Sequence, residues 1–90
     1  MVTLRVPALM KYYINNHAEV ELYGSTIAEV LADLISRYPT IRTHIMDSNG
    51  NLRRHVNLFI NDANIKDLDG LQSTVRENDR IILLPSISGG

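Results

Sequence analysis

The 90-residue sequence contains no cysteine. This absence excludes disulfide bonds, thiolate metal ligands and a cysteine nucleophile. The absence of cysteine is also compatible with a reducing compartment. Any chemistry in which the chain takes part must therefore use other groups.

The sequence also lacks an excess of charge of either sign and any long apolar run. Nine basic and ten acidic side chains give a net charge of -1, so the sequence lacks the excess of basic residues that is typical of nucleic-acid binding. No apolar run approaches the roughly 20 residues of a membrane span, and the first residues do not form a signal-peptide pattern. We expect a cytoplasmic protein that binds neither nucleic acid nor membrane.

A catalytic constellation is missing as well. His17, His44 and His55 are far apart and show no metal-ligand spacing. Ser86 and Ser88 have no neighbouring base that would activate a hydroxyl. The sequence contains no glycine-rich phosphate loop either. We therefore predict no catalytic residues, no metal site and no enzymatic activity of the chain's own.

What the sequence does contain is a set of clear strand and helix patterns. Residues 2–6 and 18–22 alternate apolar and polar side chains, which predicts two strands, and Pro7 ends the first. The residues expected to face the core are Val2, Leu4, Val6, Ala18, Val20 and Leu22. The segment between the strands reads as a loop rich in Tyr12, Tyr13, Asn15 and Asn16.

The clearest helix follows Gly24. Thr26 and Glu29 have the spacing of a capping box, with Ser25 as an alternative cap, and Pro39 predicts the end of the helix. Apolar residues recur with a period of 3.6, as one stripe formed by Ile27, Val30, Leu31, Leu34, Ile35 and Tyr38. A helix with a single apolar stripe is expected to lie across a sheet.

The second half of the chain is predicted to be mostly strands. A short helical turn at 41–46 precedes a strand at 56–60. Asn61-Asp62 predicts a tight turn into a short returning strand at 63–65, and residues 80–84 form an apolar, β-branched final strand.

The predicted order is thus ββαβββ. This order indicates an α+β protein with the β-grasp (ubiquitin-like) fold, a mixed sheet packed on one main helix. We expect one β-grasp domain over residues 1–84 and a flexible C-terminal segment over 85–90. The fold alone does not determine function, because it occurs in modifiers, ferredoxins and RNA-binding modules. The ferredoxin alternative is excluded, since that cluster needs four cysteines.

The C-terminal segment is the most distinctive part of the sequence. It reads Pro85-Ser86-Ile87-Ser88-Gly89-Gly90 and follows the predicted final strand directly. Six extended residues can reach about 20 Å, and glycine, which has no Cβ, can enter a narrow channel. The α-carboxylate of Gly90 is the functional group at its tip, so we predict Gly90 as the reactive residue.

A carboxylate is a poor electrophile at neutral pH because it is anionic and would have to lose oxide. Group transfer through Gly90 therefore requires prior conversion to a mixed anhydride, typically with AMP. A sulfur nucleophile would then give a thiocarboxylate, and an amine would give an amide. This chemistry predicts a partner enzyme that uses ATP, while the chain itself binds no cofactor.

Strand parity predicts a docking surface. If Val56, Leu58 and Ile60 face the helix, Phe59 faces the other side of the sheet, and Ile82 and Leu84 do the same in the final strand. Phe59, Ile82 and Leu84 are named the outer patch, and an exposed apolar patch of this kind usually marks an interface. The basic cluster Arg53-Arg54-His55 either aids solubility or contacts a partner, and the sequence does not choose between them.

Over nearly its whole length the sequence resembles the ubiquitin-like sulfur carriers (MoaD/ThiS-like), which include the small subunit of molybdopterin synthase and the thiamine sulfur carrier. The strand that runs into Pro-x-x-x-Gly-Gly is the most specific feature. The segment from Ile45 to Asp62 is most similar to the carriers of mycobacterial-type cysteine synthesis. The motifs that carry the resemblance are the capped helix 26–34, the strand-turn-strand 56–62, Asn78-Asp79 and residues 82–90.

The resemblance implies a reaction cycle. An E1-like adenylyltransferase activates Gly90, and a sulfurtransferase or persulfide donor converts it to a thiocarboxylate. A PLP-dependent cysteine synthase then uses this sulfur on an activated serine, and a metalloprotease trims the added cysteine. Two related alternatives are sulfur delivery to the large subunit of molybdopterin synthase and conjugation to lysines as a ubiquitin-like modifier. A plain binding module that uses the sheet is a third.

Overall fold

The computed structural model describes residues 1–85, which form a five-stranded sheet packed on one main helix. The strands are β1 (Val2–Arg5), β2 (Glu19–Leu22), β3 (Val56–Ile60), β4 (Ala63–Asn64) and β5 (Arg80–Pro85). The α-helices are α1 (Ile27–Arg37) and α2 (Arg42–Ile45). Short 3-10 helices span Ala8–Ile14, Pro39–Ile41, Ile65–Asp67 and Gly70–Gln72.

The sheet is mixed, with the strand order β2-β1-β5-β3-β4. β1 pairs with β2 antiparallel and with β5 parallel, and β3 lies antiparallel to both β5 and β4. The final strand is therefore inserted at the centre of the sheet, between the first strand and β3. This arrangement confirms the predicted ββαβββ order and the β-grasp fold.

Helix α1 begins and ends where the sequence predicts. The backbone N–H of Glu29 donates to Thr26 Oγ1 at 3.2 Å, and the N–H of Ser25 donates to Glu29 Oε1 at 2.8 Å. The two bonds satisfy backbone donors that have no partner within the helix. α1 ends at Arg37, before Pro39. Its stripe packs on the sheet, with Ile27, Val30, Leu31 and Leu34 buried and Ile35 and Tyr38 half-buried.

The core between sheet and helix is built from alternate strand residues, as the period of two requires. Val2, Leu4, Val20 and Leu22 are buried on β1 and β2. On β3 and β5 the buried residues are Val56, Leu58, Ile60, Ile81 and Leu83.

The start of β5 is fixed by the turn that follows β3. Asn61 has a left-handed backbone, with φ 56°, which asparagine tolerates better than most residues. Its side-chain oxygen accepts from the Arg80 N–H at 3.1 Å, and its amide donates to Asp79 Oδ1 at 3.1 Å. The register of β5 is thus held by side-chain bonds as well as by the strand ladder.

Two predictions for the segment between β1 and β2 are wrong. The predicted loop contains the 3-10 helix Ala8–Ile14, in which Ile14 is fully buried while Tyr12 is exposed. Ala18, predicted to face the core, is exposed, because β2 begins one residue later at Glu19. Ile14, which lies on this 3-10 helix, is a core residue that the strand patterns did not predict.

Smaller differences concern strand ends. β4 stops at Asn64, and Ile65 begins a 3-10 helix rather than ending the strand. β5 extends to Pro85, one residue past the predicted end at Leu84. The predictions for Ser86, Ile87, Ser88, Gly89 and Gly90 lie outside the described residues.

The connection from β2 to α1 passes so close to the helix that only glycine fits. A Cβ at Gly24 would lie 2.7 Å from the Val30 backbone nitrogen and 2.9 Å from the Glu29 carbonyl carbon. Because backbone atoms cannot move aside cheaply, Gly24→Ala should lower the free energy of unfolding by about 1–3 kcal/mol. Urea denaturation measures this change, with the exposed neighbour Ser25→Ala as the control. A Gly24→Ala protein as stable as the control would contradict the close contact.

Candidate functional site

The outer patch lies on the face of the sheet opposite α1. Phe59 and Ile82 are half-buried, and Leu84 is 45% exposed. Their neighbours along the chain, Leu58 and Leu83, are buried on the helix side. The predicted parity of β3 and β5 is therefore confirmed. Two of the three patch residues, Phe59 and Ile82, are only partly exposed.

The register of the sheet brings the patch residues together. Phe59 lies directly opposite Ile82 on the antiparallel pair β3–β5, and Asn57 lies opposite Leu84. On the other side of β5, Ile82 pairs with Arg5 of β1. Facing side chains on neighbouring strands are within contact range. The patch is thus an apolar strip across two strands, with a cationic side chain beside it.

A groove of about 490 Å³ extends the patch toward the end of β5. We call it the strand-end groove, and it is lined by Arg5, Val6, Pro7, Ala8, Lys11, Ala18, Ile82, Leu83 and Leu84. Two cations and no carboxylate are among these residues, so the groove favours a partner surface with negative charge.

Sequence reasoning missed Arg5 and Lys11 as site residues. Arg5 could have been found, because a β-grasp order places β1 parallel to the final strand and the alternation along residues 2–6 leaves Arg5 facing outward. Lys11 gave no such signal, since its position depends on the unpredicted 3-10 helix Ala8–Ile14.

Both features lie next to the predicted reactive segment. β5 ends at Pro85, which pairs with Val56 at the first position of β3. Leu84 precedes Pro85 directly, and Gly90 follows Leu84 by only six residues in the sequence. A protein that binds the outer patch therefore contacts the strand from which the C-terminal residues continue. Six extended residues span about 20 Å, so its active site can be no farther than this from Leu84.

The described residues bring no other reactive groups together. Within residues 1–85 no three histidine or acidic side chains are placed to hold a metal ion. His44 stacks on Tyr13 with ring centroids 4.1 Å apart, while His17 and His55 are exposed. None of the helices in this part of the chain combines the length and apolar character that crossing a membrane requires.

Comparison with known proteins places the chain in a family. Residues 5–90 match the ThiS family. The sequence is 31% identical to the sulfur carrier protein CysO of Mycobacterium tuberculosis, over 99% of this chain and 98% of that protein. It is 26% identical to small archaeal modifier protein 3 of Haloferax volcanii, over 73% of this chain and 71% of that protein.

Solved structures agree. A chain in the crystal structure of the Amycolatopsis orientalis BexX/CysO complex superposes with a TM-score of 0.91 at 28% identity, with both chains fully covered. Small archaeal modifier protein 1 of Methanosarcina acetivorans gives a TM-score of 0.87 at 28% identity, over 99% of this chain and 95% of that one. The chain therefore belongs to the ThiS family, among the ubiquitin-like sulfur carriers with the β-grasp fold.

Proposed function

We propose that the chain is a sulfur carrier whose Gly90 carboxylate is adenylated by an E1-like enzyme and then converted to a thiocarboxylate. The outer sulfur of a sulfurtransferase or another persulfide donor displaces AMP to give an acyl disulfide, and a second thiol then reduces this disulfide and releases the thiocarboxylate. The favoured acceptor is an activated serine held by a PLP-dependent cysteine synthase. The chain is a co-substrate in each step and supplies no catalytic residue.

The observation that carries the proposal is the position of Gly89-Gly90 in a ThiS-family sequence, separated by only three residues from the strand that bears Ile82 and Leu84. A docking surface on that strand would hold the body of the carrier while a residue without Cβ enters the active site. Positioning of this kind raises the effective concentration of the carboxylate at the nucleotide.

The strand-end groove supports the docking step. Its apolar side chains, Ile82 and Leu84, provide apolar surface that a bound partner would bury. Its cations, Arg5 and Lys11, would orient the partner by pairing with negative charge. We propose that the activating enzyme binds here with an apolar side chain flanked by carboxylates.

The likeness to the CysO proteins favours cysteine synthesis over molybdopterin synthesis as the destination of the sulfur. The likeness to small archaeal modifier proteins favours a second function, conjugation of Gly90 to lysines. Both functions begin with the same adenylation. They differ in the product, because a modifier would leave Gly-Gly remnants on other proteins.

A transfer experiment tests the destination. The thiocarboxylate form is incubated with a PLP-dependent synthase and an activated serine, and the intact chain is then weighed. We expect an adduct heavier than the carboxylate form by one cysteine residue, about 103 Da. The unsulfurated chain is the control and should give no adduct.

Absence of the adduct, together with sulfur transfer to the large subunit of molybdopterin synthase, would assign the chain to molybdopterin synthesis instead. Gly-Gly remnants on other proteins without any thiocarboxylate would favour the modifier function instead.

A further inference from the structure

A second groove, on the helix side of β3, plays no part in the function proposed above. Its volume is about 600 Å³, and we call it the basic groove. It lies between the segment that precedes β3, the β4 edge and the 3-10 helix Gly70–Gln72. It is lined by Asn51, Leu52, Arg53, Arg54, Val56, Leu58, Asn64, Ile65, Lys66, Gly70 and Leu71.

The floor of the basic groove is apolar. Val56, Leu58 and Ile65 are buried, and Leu52 and Leu71 are half-buried. A site of this volume falls in the range of pockets that hold a ligand, about 300–1,000 Å³. The floor can therefore accept one or two apolar side chains of a partner.

The lining residues carry charge of one sign only. Arg53, Arg54 and Lys66 contribute three cations, and no aspartate or glutamate is among the lining residues. None of the three forms a salt bridge within residues 1–85. Since the whole chain carries nine basic and ten acidic side chains, three cations around one groove are a strong local asymmetry.

The lining is also held in place by hydrogen bonds. Arg53 Nε donates to the Thr43 carbonyl at 2.7 Å, which fixes the guanidinium beside the groove. The Asn64 side-chain oxygen accepts from the Lys66 N–H at 2.9 Å, which fixes the turn that carries Lys66. A pre-organised site loses less entropy on binding than a mobile one.

From this apolar floor and cationic lining we propose that the basic groove binds a peptide segment of a partner protein in which carboxylates flank a large apolar side chain. The apolar side chain occupies the floor, and the carboxylates pair with Arg53, Arg54 and Lys66. Arginine suits this role because its planar guanidinium binds carboxylates with two hydrogen bonds.

The basic groove and the outer patch are on opposite sides of β3. Leu58 faces the basic groove, and the next residue, Phe59, faces the outer patch. A partner in the basic groove therefore leaves the outer patch accessible, so the carrier can be bound by two proteins at once. The proposal is independent of the chemistry of Gly90.

The test is an NMR titration of the ¹⁵N-labelled full chain with a capped peptide, Asp-Glu-Leu-Asp-Glu-Leu. We expect saturable amide shifts at Leu52, Val56, Ile65 and Leu71 below about 1 mM peptide, the range of weak binding. Shifts at Ile82 would report the strand-end groove, which is proposed to take the same chemistry, and Arg54→Glu should leave those shifts unchanged. The matched peptide Lys-Lys-Leu-Lys-Lys-Leu should give no saturable shift.

Two substitutions with the same charge change locate the site. Arg54→Glu should weaken binding of the acidic peptide about tenfold, because it removes a cation of the lining and adds a like charge. Arg76→Glu is the control and should change affinity less than about twofold, because it lies before β5, at the end of the sheet away from Val56. Both sites are exposed, so both variants should fold.

Several results would overturn the proposal. These are no shifts with the acidic peptide, equal shifts with the basic peptide, or the same weakening by Arg76→Glu. Equal shifts with sodium acetate would show an anion site without an apolar anchor. Shifts at the groove that grow with protein concentration alone would assign it to a second copy of this chain.

Discussion

Removal of Gly89 and Gly90 should abolish ATP-dependent activation of the chain. The new terminal carboxylate, on Ser88, would be about 7 Å short of the original position. It would also carry a Cβ and a side chain into a channel that is proposed to accept glycine. A displacement of 1 Å can cost about 100-fold in rate, so we expect a loss of at least about 1,000-fold.

The readout is ATP–pyrophosphate exchange with the E1-like enzyme. Stability should stay within about 0.5 kcal/mol of the intact chain, since the two deleted glycines carry no side chain to bury. Ser25→Ala is again the control, because Ser25 is exposed and lies before α1, outside the outer patch. Retention of exchange activity after the deletion would reject both the carrier and the modifier functions.

Phe59→Ala should weaken capture by the activating enzyme. Phe59 lies opposite Ile82 at the centre of the outer patch, where the loss of an aromatic anchor costs more than about 2 kcal/mol. This corresponds to a rise of about 30-fold in the KM for the carrier. Because the side chain is half-buried, the substitution should also cost about 1–2 kcal/mol of stability and leave the chain folded.

A second variant separates docking from stability. Leu84→Ser changes a residue that is 45% exposed, so the fold should be almost unaffected while KM rises. Thr3→Ala, on the same face but on β1, is the control and should keep KM within about twofold of the intact chain. Unchanged activation kinetics in both Phe59→Ala and Leu84→Ser would reject the outer patch as an interface.

The parts of the fold that sequence patterns predicted correctly are those with a strong local signal. The Thr26–Glu29 cap and the apolar stripe define α1, and the alternation along β3 and β5 gives the correct faces. The same parity, together with the expected β-grasp sheet, placed Phe59, Ile82 and Leu84 on one face.

The parts that were missed depend on distant contacts. The 3-10 helix Ala8–Ile14 has no capping side chain, and its one buried residue, Ile14, is stabilised by the core rather than by local propensity. The basic groove could not be predicted either. It joins Arg54 to Lys66, which are brought to one place only by the β3–β4 turn and the 3-10 helix that follows it.

The measurement that tests the account most directly is the intact mass of the full chain after incubation with ATP, an E1-like enzyme, a persulfide donor and a thiol reductant. We predict a gain of about 16 Da at the C-terminus, from replacement of one Gly90 oxygen by sulfur. The gain should be absent without ATP and in the chain that lacks Gly89 and Gly90. An unchanged mass of the chain after the complete reaction would contradict the account.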